Sequence, residues 1–418
     1  MQWVHASVSR ENHFYGRHTP AGLISKYGSP LYVYNERILR ERCRDIKRLV
    51  KGPDFVVSYS AKANSNLSLL QIIKDEGCEV DAMSPGEIQV QLQAGFTPEQ
   101  ILYIGNNVSA TEMSYVISQG VAVSVDSLSQ LELYGQLNPG GRVVVRFNTG
   151  IGAGHHQKVV TGGDKTKFGI ETALLPAVKK LLATYQLHLS GINQHIGSLF
   201  MDSDAYISGV QALLDIALHF PELEFIDLGG GFGIPYHKQE QEPRLDLAAL
   251  SEKISEVLTE WVSRHGKQVR FKVEPGRYLV AECGILLGTV HTIKTNYHTK
   301  YIGTDIGFNV LMRPVLYNAH HDLEIYRSSN TRSRNQETVT LTGNICESGD
   351  ILAAGRTLPE IFEQDIIGVL DAGAYGYSMA SNYNNRLRPA EVLLTSDGDD
   401  VLIRRRESFD DVMRHFAI

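Results

Sequence analysis

Cysteine is scarce in this chain, and its spacing excludes two kinds of site. The 418 residues contain four cysteines, Cys43, Cys78, Cys283 and Cys346, which lie far apart and form no CxxC pair. The sequence therefore predicts neither a disulfide framework nor a structural zinc site. Three of the four are expected to be packing residues.

Long apolar runs and blocks of basic residues are missing as well. No segment approaches the roughly 20 consecutive apolar residues that cross a bilayer, and the start of the chain has no basic region followed by an apolar run. The formal charge of -7, with no Lys/Arg block, argues against a nucleic-acid-binding surface. We expect a soluble, cytoplasmic protein that acts on small molecules, with no membrane or nucleic-acid partner.

Short β-rich runs alternate with helical patterns from about residue 55 onward. Eight strands are predicted, at 56–59, 78–81, 101–104, 121–125, 143–147, 189–192, 225–228 and 270–273. Eight strands with intervening helices in about 220 residues fit a closed, parallel (β/α)8 barrel. We assign residues 36–280 to this α/β domain, and an open doubly wound sheet is the alternative.

Beyond the barrel the pattern changes to strands separated by turns. Strand-like runs occur at 284–290, 338–341, 366–370 and 401–403, and Asp397-Gly398 marks one of the turns. A further strand at 30–34 precedes the barrel and could pair with this region. Residues 1–35 and 281–418 are therefore predicted to form a second, mainly antiparallel β-domain.

Lys62 is the first candidate for chemistry, because it follows a β-branched and aromatic strand and precedes a helix signal. Catalytic groups collect at the C-terminal ends of barrel strands, where a lysine can form a Schiff base. Taken alone, Lys62 could equally be an exposed residue of a loop. Glu274 follows another strand, and Gly229, Gly230 and Gly231 follow a third, where their backbone N–H groups could meet a phosphate. An amine, a carboxylate and a phosphate cradle together describe a pyridoxal phosphate site.

Other polar residues also fall at predicted strand ends and would face the same cavity. They are Asp81 with Ser84, Asn106, Asp126, Arg146 with Asn148, and His195. Ser84 and Asp126 are explained well enough as caps of the following helices. Asp81 is counted among the cofactor-binding candidates. His195 could lie against a cofactor ring, although a core histidine with a backbone partner is the alternative.

Six segments, in order along nearly the whole chain, resemble one family. They are Tyr59 to Asn64, His195 to Ser198, Gly229 to Gly233, Glu274 to Arg277, Cys346 to Asp350 and Asp371 to Gly376. The chain resembles the pyridoxal-phosphate-dependent decarboxylases with an alanine-racemase-like barrel, fold type III, and most closely the bacterial diaminopimelate decarboxylases. The resemblance implies decarboxylation of meso-2,6-diaminopimelate to L-lysine and carbon dioxide, the last step of lysine biosynthesis.

The resemblance also implies roles for individual residues. Lys62 would bind the cofactor covalently, Glu274 would meet its pyridine nitrogen and His195 would stack on its ring. Phosphate would be held by Ser198, Gly231 and Gly276, and substrate or cofactor would be met by Arg277, Arg313, Tyr317, Glu347 and Tyr375. Cys346 would donate a proton from the partner subunit, which implies a homodimer with active sites shared across its interface.

Two local features complete the comparison with the family. The run from Gly150 to His156, followed by Lys158 and Thr161 to Gly163, resembles the family's loop after the fifth strand. A metal site at His155-His156 is disfavoured, because adjacent side chains do not readily present two nitrogens to one ion, and no metal is predicted. Asn193 stands where many relatives have a histidine, so the hydrogen bonding around the ring or substrate is expected to differ.

The nearest alternative function is decarboxylation of ornithine, arginine or carboxynorspermidine on the same fold. A racemase and a non-catalytic pyridoxal phosphate carrier protein are more distant alternatives. The carrier would not need a second domain with Cys346 and Tyr375. Release of carbon dioxide from a panel of amino acids separates these possibilities.

Overall fold

The computed structural model describes residues 2–5, 7–152, 162–163, 166–327 and 335–417, with the side chains of 2–4 excepted. His155, His156, Lys158 and Thr161 of the loop that resembles the family lie outside the described residues. The chain divides into two compact units. One comprises Arg40–Ile234 and Arg244–Leu279, and the other comprises Met1–Leu39, Pro235–Pro243 and Val280–Ile418.

The described residues contain the following strands and helices. The strands are β1 Gln2–His5, β2 Leu31–Asn35, β3 Phe55–Ser60, β4 Glu79–Ala82, β5 Ile101–Tyr103, β6 Ala122–Val125, β7 Arg142–Asn148, β8 Ile170–Glu171, β9 His188–Asn193, β10 Phe225–Gly230, β11 Arg270–Glu274, β12 Gly284–Asn296, β13 Thr299–Thr304, β14 Leu323–Arg327, β15 Gln336–Thr342, β16 Ile351–Pro359, β17 Ile366–Val369, β18 Ala390–Leu394 and β19 Asp400–Arg404. The helices are α1 Val8–Glu11, α2 Pro20–Tyr27, α3 Glu36–Lys47, α4 Leu67–Asp75, α5 Pro85–Gln93, α6 Ala110–Ser118, α7 Leu128–Leu137, α8 Leu175–Thr184, α9 Asp204–Ala217, α10 Leu247–His265, α11 Arg277–Val280, α12 Arg313–Tyr317 and α13 Phe409–Met413.

The first unit is a closed parallel barrel, as the sequence predicts. Its strands pair in the order β6-β5-β4-β3-β11-β10-β9-β7, and a parallel pairing of β6 with β7 closes the ring. The alternative of an open doubly wound sheet is therefore wrong. The short strand β8, which the sequence pattern did not predict, pairs in parallel with the last two residues of β7. Because all eight strands run in one direction, their C-terminal ends meet at one end of the barrel.

Of the two helix caps predicted after barrel strands, Ser84 is a cap and Asp126 is not. Ser84 caps α5, because its side chain accepts the N–H of Glu87. Asp126, however, is not the cap of α7, since Ser127 accepts the N–H of Gln130 there. Asp126 instead accepts a hydrogen bond from the Asn106 side chain. The predicted capping role of Asp126 is therefore wrong.

The second unit contains a mainly antiparallel sheet, which in the described residues has ten strands. Strand β2 pairs with β12 and β18 of this sheet, so the strand predicted at 30–34 does belong to it. The predicted turn at Asp397-Gly398 joins the antiparallel pair β18 and β19. The pattern did not predict β1, β13, β14, β16 or β18. The segment Pro235–Pro243, inside the range 36–280 assigned to the barrel domain, belongs to this second unit.

Among the residues that the structure describes, no helix is long and apolar enough to cross a bilayer.

Candidate active site

Lys62 lies in a single 3-10 turn, Ala61–Ala63, directly after β3. The N–H of Ala61 donates to Asp81 Oδ1 on β4 at 3.0 Å. On the other side, a Cβ atom added at Gly276 would lie 3.2 Å from the Cβ atoms of Ser60 and Ala63. The turn is thus held between β4 and the segment that follows β11. Lys62 therefore stands at the C-terminal end of the barrel, close to Asp81 and to the Glu274–Arg277 run.

Asp81 and Glu87 are two of the carboxyl groups that interact electrostatically with the amine of Lys62. Asp81 is 1% exposed, and burial raises its pKa to about 7 although the charge of Lys62 lowers it. Burial also raises the pKa of Glu87, against the opposing effects of its hydrogen bond from Met83 and the charge of Lys62. Because a carboxyl with a pKa near 7 is part-protonated at neutral pH, Lys62 faces an acid that can exchange a proton. The sequence did not mark Glu87.

Glu274 ends β11 with its carboxyl group buried. Burial raises the pKa of Glu274 well above its usual range, and the negative charges of Asp227 and Asp81 raise it further, whereas Lys62 and Arg146 lower it. Its Oε1 atom is buried and has no hydrogen-bond partner among the residues that the structure describes. A buried oxygen of this kind needs an explanation, and a ligand atom would supply one.

Arg146 and Asp227 belong to the same buried cluster. The sequence pattern placed Arg146 at the cavity without a role, and it did not mark Asp227. Burial lowers the pKa of Arg146, which the charges of Glu274, Asp126 and Asp227 raise. The guanidinium lies 4.7 Å from the Phe168 ring centroid, and within the described parts of the chain no group bonds its Nη2 atom. The signal for both residues was available, since an ionisable side chain inside an otherwise apolar strand needs a partner.

His195, just after β9, lies against the glycine turn. Its Nδ1 atom accepts the backbone N–H of Gly230 at 3.1 Å, which leaves the proton of a neutral ring on Nε2. Burial lowers the pKa of His195 well below its usual range, and the positive charges of Lys62 and Arg146 lower it further. The imidazole is therefore neutral at physiological pH.

The three glycines do not all serve the predicted phosphate cradle. Gly229 donates its N–H to Asp227 Oδ1 at 2.9 Å, and Gly230 donates to His195. A Cβ atom at Gly231, where φ is +106°, would lie 2.5 Å from the carbonyl oxygen of Gly197. The turn is glycine-rich chiefly because two backbone segments pass close together.

Ser198 and Arg277, predicted to bind phosphate and substrate or cofactor, lie together. The Arg277 Nη2 atom donates to Ser198 Oγ at 3.1 Å, and Arg277 is 6% exposed. Gly231 packs against Gly197, the neighbour of Ser198, and Gly276 precedes Arg277. A hydroxyl group, a guanidinium and small residues are the groups that surround a bound phosphate.

Asn193 is a barrel-interior residue rather than a loop residue. It is 1% exposed, and its Oδ1 atom accepts a hydrogen bond from Ser124 Oγ on β6 at 2.8 Å. The Asn193 side chain, at the position where a histidine was expected from the resemblance, therefore links β9 to β6.

The remaining predicted residues belong to the second unit. Arg313, at the start of α12, is 2% exposed, and Tyr317 ends the same helix. Cys346 is exposed, and its N–H donates to Asn384 Oδ1 at 2.8 Å.

Glu347, beside Cys346, accepts the hydroxyl of Tyr383 at 2.6 Å. Tyr375 is half-buried and adopts a φ of +55°, four residues after Asp371, whose φ is +56°. A non-glycine residue in this region costs of order 1–3 kcal/mol, and such residues cluster at functional sites.

The barrel residues fit pyridoxal phosphate. An amine at a strand end can attach an aldehyde, and the buried Glu274 Oε1 atom can accept a ring nitrogen proton. The Gly231, Ser198, Gly276 and Arg277 group has the small residues and donors that a phosphate needs. Donor chemistry and close backbone approach therefore agree with the cofactor that the resemblance implied.

Known proteins resemble this chain over most of its length. Residues 36–281 match the family described as pyridoxal-dependent decarboxylase, pyridoxal binding domain. A diaminopimelate decarboxylase of Methanothermobacter thermautotrophicus is 42% identical over 401 residues, covering 94% of this chain and 92% of that protein. One from Escherichia coli K12 is 33% identical over 406 residues, covering 94% of each.

A solved structure agrees with these relatives. The crystal structure of diaminopimelate decarboxylase from Helicobacter pylori, complexed with L-lysine, superimposes with a TM-score of 0.85 at 30% identity, covering 95% of this chain and 98% of that one. The chain therefore belongs to the family of pyridoxal-dependent decarboxylases that includes the diaminopimelate decarboxylases.

Proposed function

We propose that this protein uses pyridoxal phosphate to decarboxylate meso-2,6-diaminopimelate to L-lysine and carbon dioxide. The observation that carries the proposal is the combination of Lys62 with the buried Glu274 carboxyl at one end of the barrel. Relatives that match over more than nine-tenths of the chain are diaminopimelate decarboxylases, and one was solved with L-lysine, the expected product.

When bound, pyridoxal phosphate supplies a pyridine ring that accepts the electron pair left behind as carbon dioxide departs. Lys62 supplies the amine that attaches the cofactor and that the substrate amine displaces. The carboxyl group of Glu274, whose pKa burial raises well above its usual range, would share a proton with the pyridine nitrogen. Neutral His195 offers a ring face without adding positive charge beside Lys62.

The phosphate would be held by Gly231, Ser198, Gly276 and Arg277. Arg277 brings the positive charge, and its contact with Ser198 orients the hydroxyl beside it. Fixing the phosphate also fixes the angle at which the ring faces Glu274 and His195.

Substrate recognition is assigned to Arg277, Arg313, Tyr317, Glu347 and Tyr375. The end of diaminopimelate that does not react carries both an amino group and a carboxylate, which bind to an acidic and a basic side chain respectively. Arg313 can bind that carboxylate. Ornithine and arginine have no carboxylate at that end, so the site favours diaminopimelate.

Cys346 is proposed to donate the proton that replaces the departing carboxylate, from the second subunit of a homodimer. Its exposure on the surface of one chain supports such a role, because an exposed thiol can be offered to another subunit. The homodimer and the cytoplasmic location stay predictions.

Carbon dioxide release from a panel of amino acids tests the proposed function. We expect turnover with meso-diaminopimelate and at least a hundredfold lower kcat/KM, about 3 kcal/mol, with ornithine, arginine and lysine. Preferred turnover of ornithine or arginine would instead make the protein one of the related decarboxylases. Interconversion of enantiomers without carbon dioxide release would make it a racemase.

Lys62→Ala tests the chemistry of attachment. The variant should lose turnover and covalent attachment of the cofactor while keeping its fold, because Lys62 is at a strand end and does not fill the core. Borohydride reduction followed by peptide mapping should label Lys62 in the wild type. Lys253→Ala, on the exposed side of α10, is the matched control and should keep both activity and label.

A further inference from the structure

We propose that Tyr236 is a positioning residue that sets the guanidinium of Arg313 for the carboxylate at the non-reacting end of the substrate. The inference rests on the proposed function, in which Arg313 recognises that carboxylate. No motif in the sequence pointed to Tyr236. All the residues that carry the inference belong to the second unit.

The Arg313 guanidinium lies over the face of the Tyr236 ring, 4.5 Å from its centroid. Arg313 is 2% exposed and Tyr236 is 5% exposed, so the contact is shielded from water. A cation–π contact is stronger when desolvated, and it holds the cation in place without a hydrogen bond. The N–H groups in the guanidinium plane are the ones that pair with a carboxylate.

His321 controls the rotation of the same guanidinium about its long axis. Its Nδ1 atom is 2.7 Å from the carbonyl oxygen of Leu370, which can only accept, so Nδ1 carries the proton. Its Nε2 atom is then an acceptor, and it lies 2.6 Å from Arg313 Nη1. The His321 ring also meets Tyr236 edge-on, with centroids 5.4 Å apart and planes at 82°. The tyrosine ring fixes the place of the guanidinium, and the histidine fixes the direction of one of its N–H groups.

Tyr236 is itself held by the segment Pro235–Pro243, which returns from the barrel to the second unit. The N–H groups of Tyr236 and His237 both donate to Glu242 Oε2, at 2.7 and 2.8 Å. Gln239 donates its N–H to Asp322 Oδ2 at 2.9 Å.

Three further contacts hold this segment. Lys238 pairs with Glu282 at 3.0 Å and with Asp371, four residues before Tyr375. The His237 ring stacks on His320 with centroids 3.7 Å apart. A ring on so firmly attached a segment can hold the guanidinium in one position, which lowers the entropy lost when a carboxylate binds.

The test compares two competitive inhibitors of the holoenzyme that differ by one carboxylate, L-lysine and 1,5-diaminopentane. In Tyr236→Leu we expect the inhibition constant of L-lysine and the KM for diaminopimelate to rise roughly tenfold. The inhibition constant of 1,5-diaminopentane should stay within about twofold. Tyr236→Phe keeps the ring face and should keep the wild-type ratio of the two constants. A purely structural defect would weaken both inhibitors together.

Arg313→Gln separates failure of this inference from failure of the proposed function. If Arg313→Gln abolishes the preference for L-lysine but Tyr236→Leu retains it, the positioning role of Tyr236 is wrong and the proposed function stands. If Arg313→Gln leaves the preference unchanged, Arg313 does not bind that carboxylate, and both proposals about Arg313 fall. Should Tyr236→Leu not fold, Tyr236→Met keeps most of the volume without a π face and is measured in the same way.

Discussion

Several ionisable side chains are buried together at the C-terminal end of the barrel, where water does not stabilise their charged forms. Asp81, Asp227 and Glu274 contribute three carboxyl groups, against the cations Lys62 and Arg146. Burial raises the pKa of all three acids because the charged form loses its hydration. Lys62 offsets part of that effect for Asp81, and Lys62 and Arg146 do so for Glu274. For Asp227 the N–H of Gly229 and the charge of Lys272 do so. Protons therefore stay in the site at a pH where exposed carboxyl groups have lost them.

Glu274→Gln should separate catalysis from cofactor binding. An amide cannot share an acidic proton with the pyridine nitrogen, so kcat should fall by about a hundredfold. The dissociation constant of the cofactor should change much less, because the phosphate group uses other residues. Steady-state kinetics at saturating cofactor and absorbance titration measure the two quantities, and unchanged turnover would disprove the proposed role.

Asp227 should make the stability of the protein pH-dependent. Burial raises its pKa from 3.8 to about 6, so between these values the folded state holds a proton that the unfolded state has released. Its contribution to the free energy of unfolding is therefore greatest below about pH 4 and falls as pH rises to about 6, by up to about 3 kcal/mol.

Asp227→Asn should remove this fall while keeping an oxygen for the N–H of Gly229. Urea unfolding at pH 4.5 and pH 7.5 gives the two free energies for each protein, with cofactor at a fixed concentration. Relative to the wild type, the variant should be more stable at pH 7.5 than at pH 4.5. Parallel pH profiles would show that Asp227 does not titrate in this range.

In the glycine turn at the end of β10, neighbouring backbone segments leave no room for side chains. A side chain at Gly229 would meet the carbonyl oxygen of Gln194, and one at Gly230 would overlap that of Glu274. The segment from Gln194 to Gly197 can therefore approach the turn closely enough for His195 to accept an N–H from Gly230. The same closeness leaves Gly231 beside Ser198, where the phosphate is proposed to bind.

Gly231→Ala tests this element. Strain at a φ of +106° and the contact with Gly197 should together destabilise the fold by about 3 kcal/mol and weaken cofactor binding. Gly266→Ala is the matched control, since Gly266 also has a positive φ, +61°, but nothing lies within 4 Å of the added Cβ. The control should cost about 1 kcal/mol and leave the cofactor dissociation constant unchanged. Equal effects of the two substitutions on cofactor binding would contradict the proposed cradle.

The proposed homodimer makes a prediction for the whole molecule. If each site takes Lys62 from one chain and Cys346 from the other, neither Lys62→Ala nor Cys346→Ala should be appreciably active alone. After dissociation and random reassociation of equal amounts, half of the dimers are mixed, and each mixed dimer has one intact site. About a quarter of wild-type activity should therefore return.

Subunit exchange must be verified by mass spectrometry before activity is compared. The control is a mixture of Lys62→Ala with Lys62→Met, which cannot form an intact site and should stay inactive. Confirmed exchange without recovery would place Cys346 in its own chain's site or outside the chemistry.

Much of the architecture could be predicted, because β-branched runs and helical spacing are local properties. All eight barrel strands were predicted to within two residues of their ends, whereas β1, β13, β14, β16 and β18 of the second unit were not predicted. Strand β18 carries a clear apolar run, but β16, with Ala353, Gly355 and Arg356, does not alternate as a half-buried strand should. Its place in the sheet depends on antiparallel pairing with β15, which runs from Thr342 opposite Ile351 to Gln336 opposite Pro359.

The sequence alone determined where reactive side chains would stand. Lys62, His195 and Glu274 follow strands of one parallel barrel, and such strands bring their C-terminal ends together. Only the tertiary structure decided what these groups contact. Residues distant in the chain form the hydrogen bond between Gly230 and His195 and the cation–π contact between Arg313 and Tyr236. Distant residues also bury Arg146. Such contacts depend on how packed segments approach one another in space, which no local pattern of residue types records.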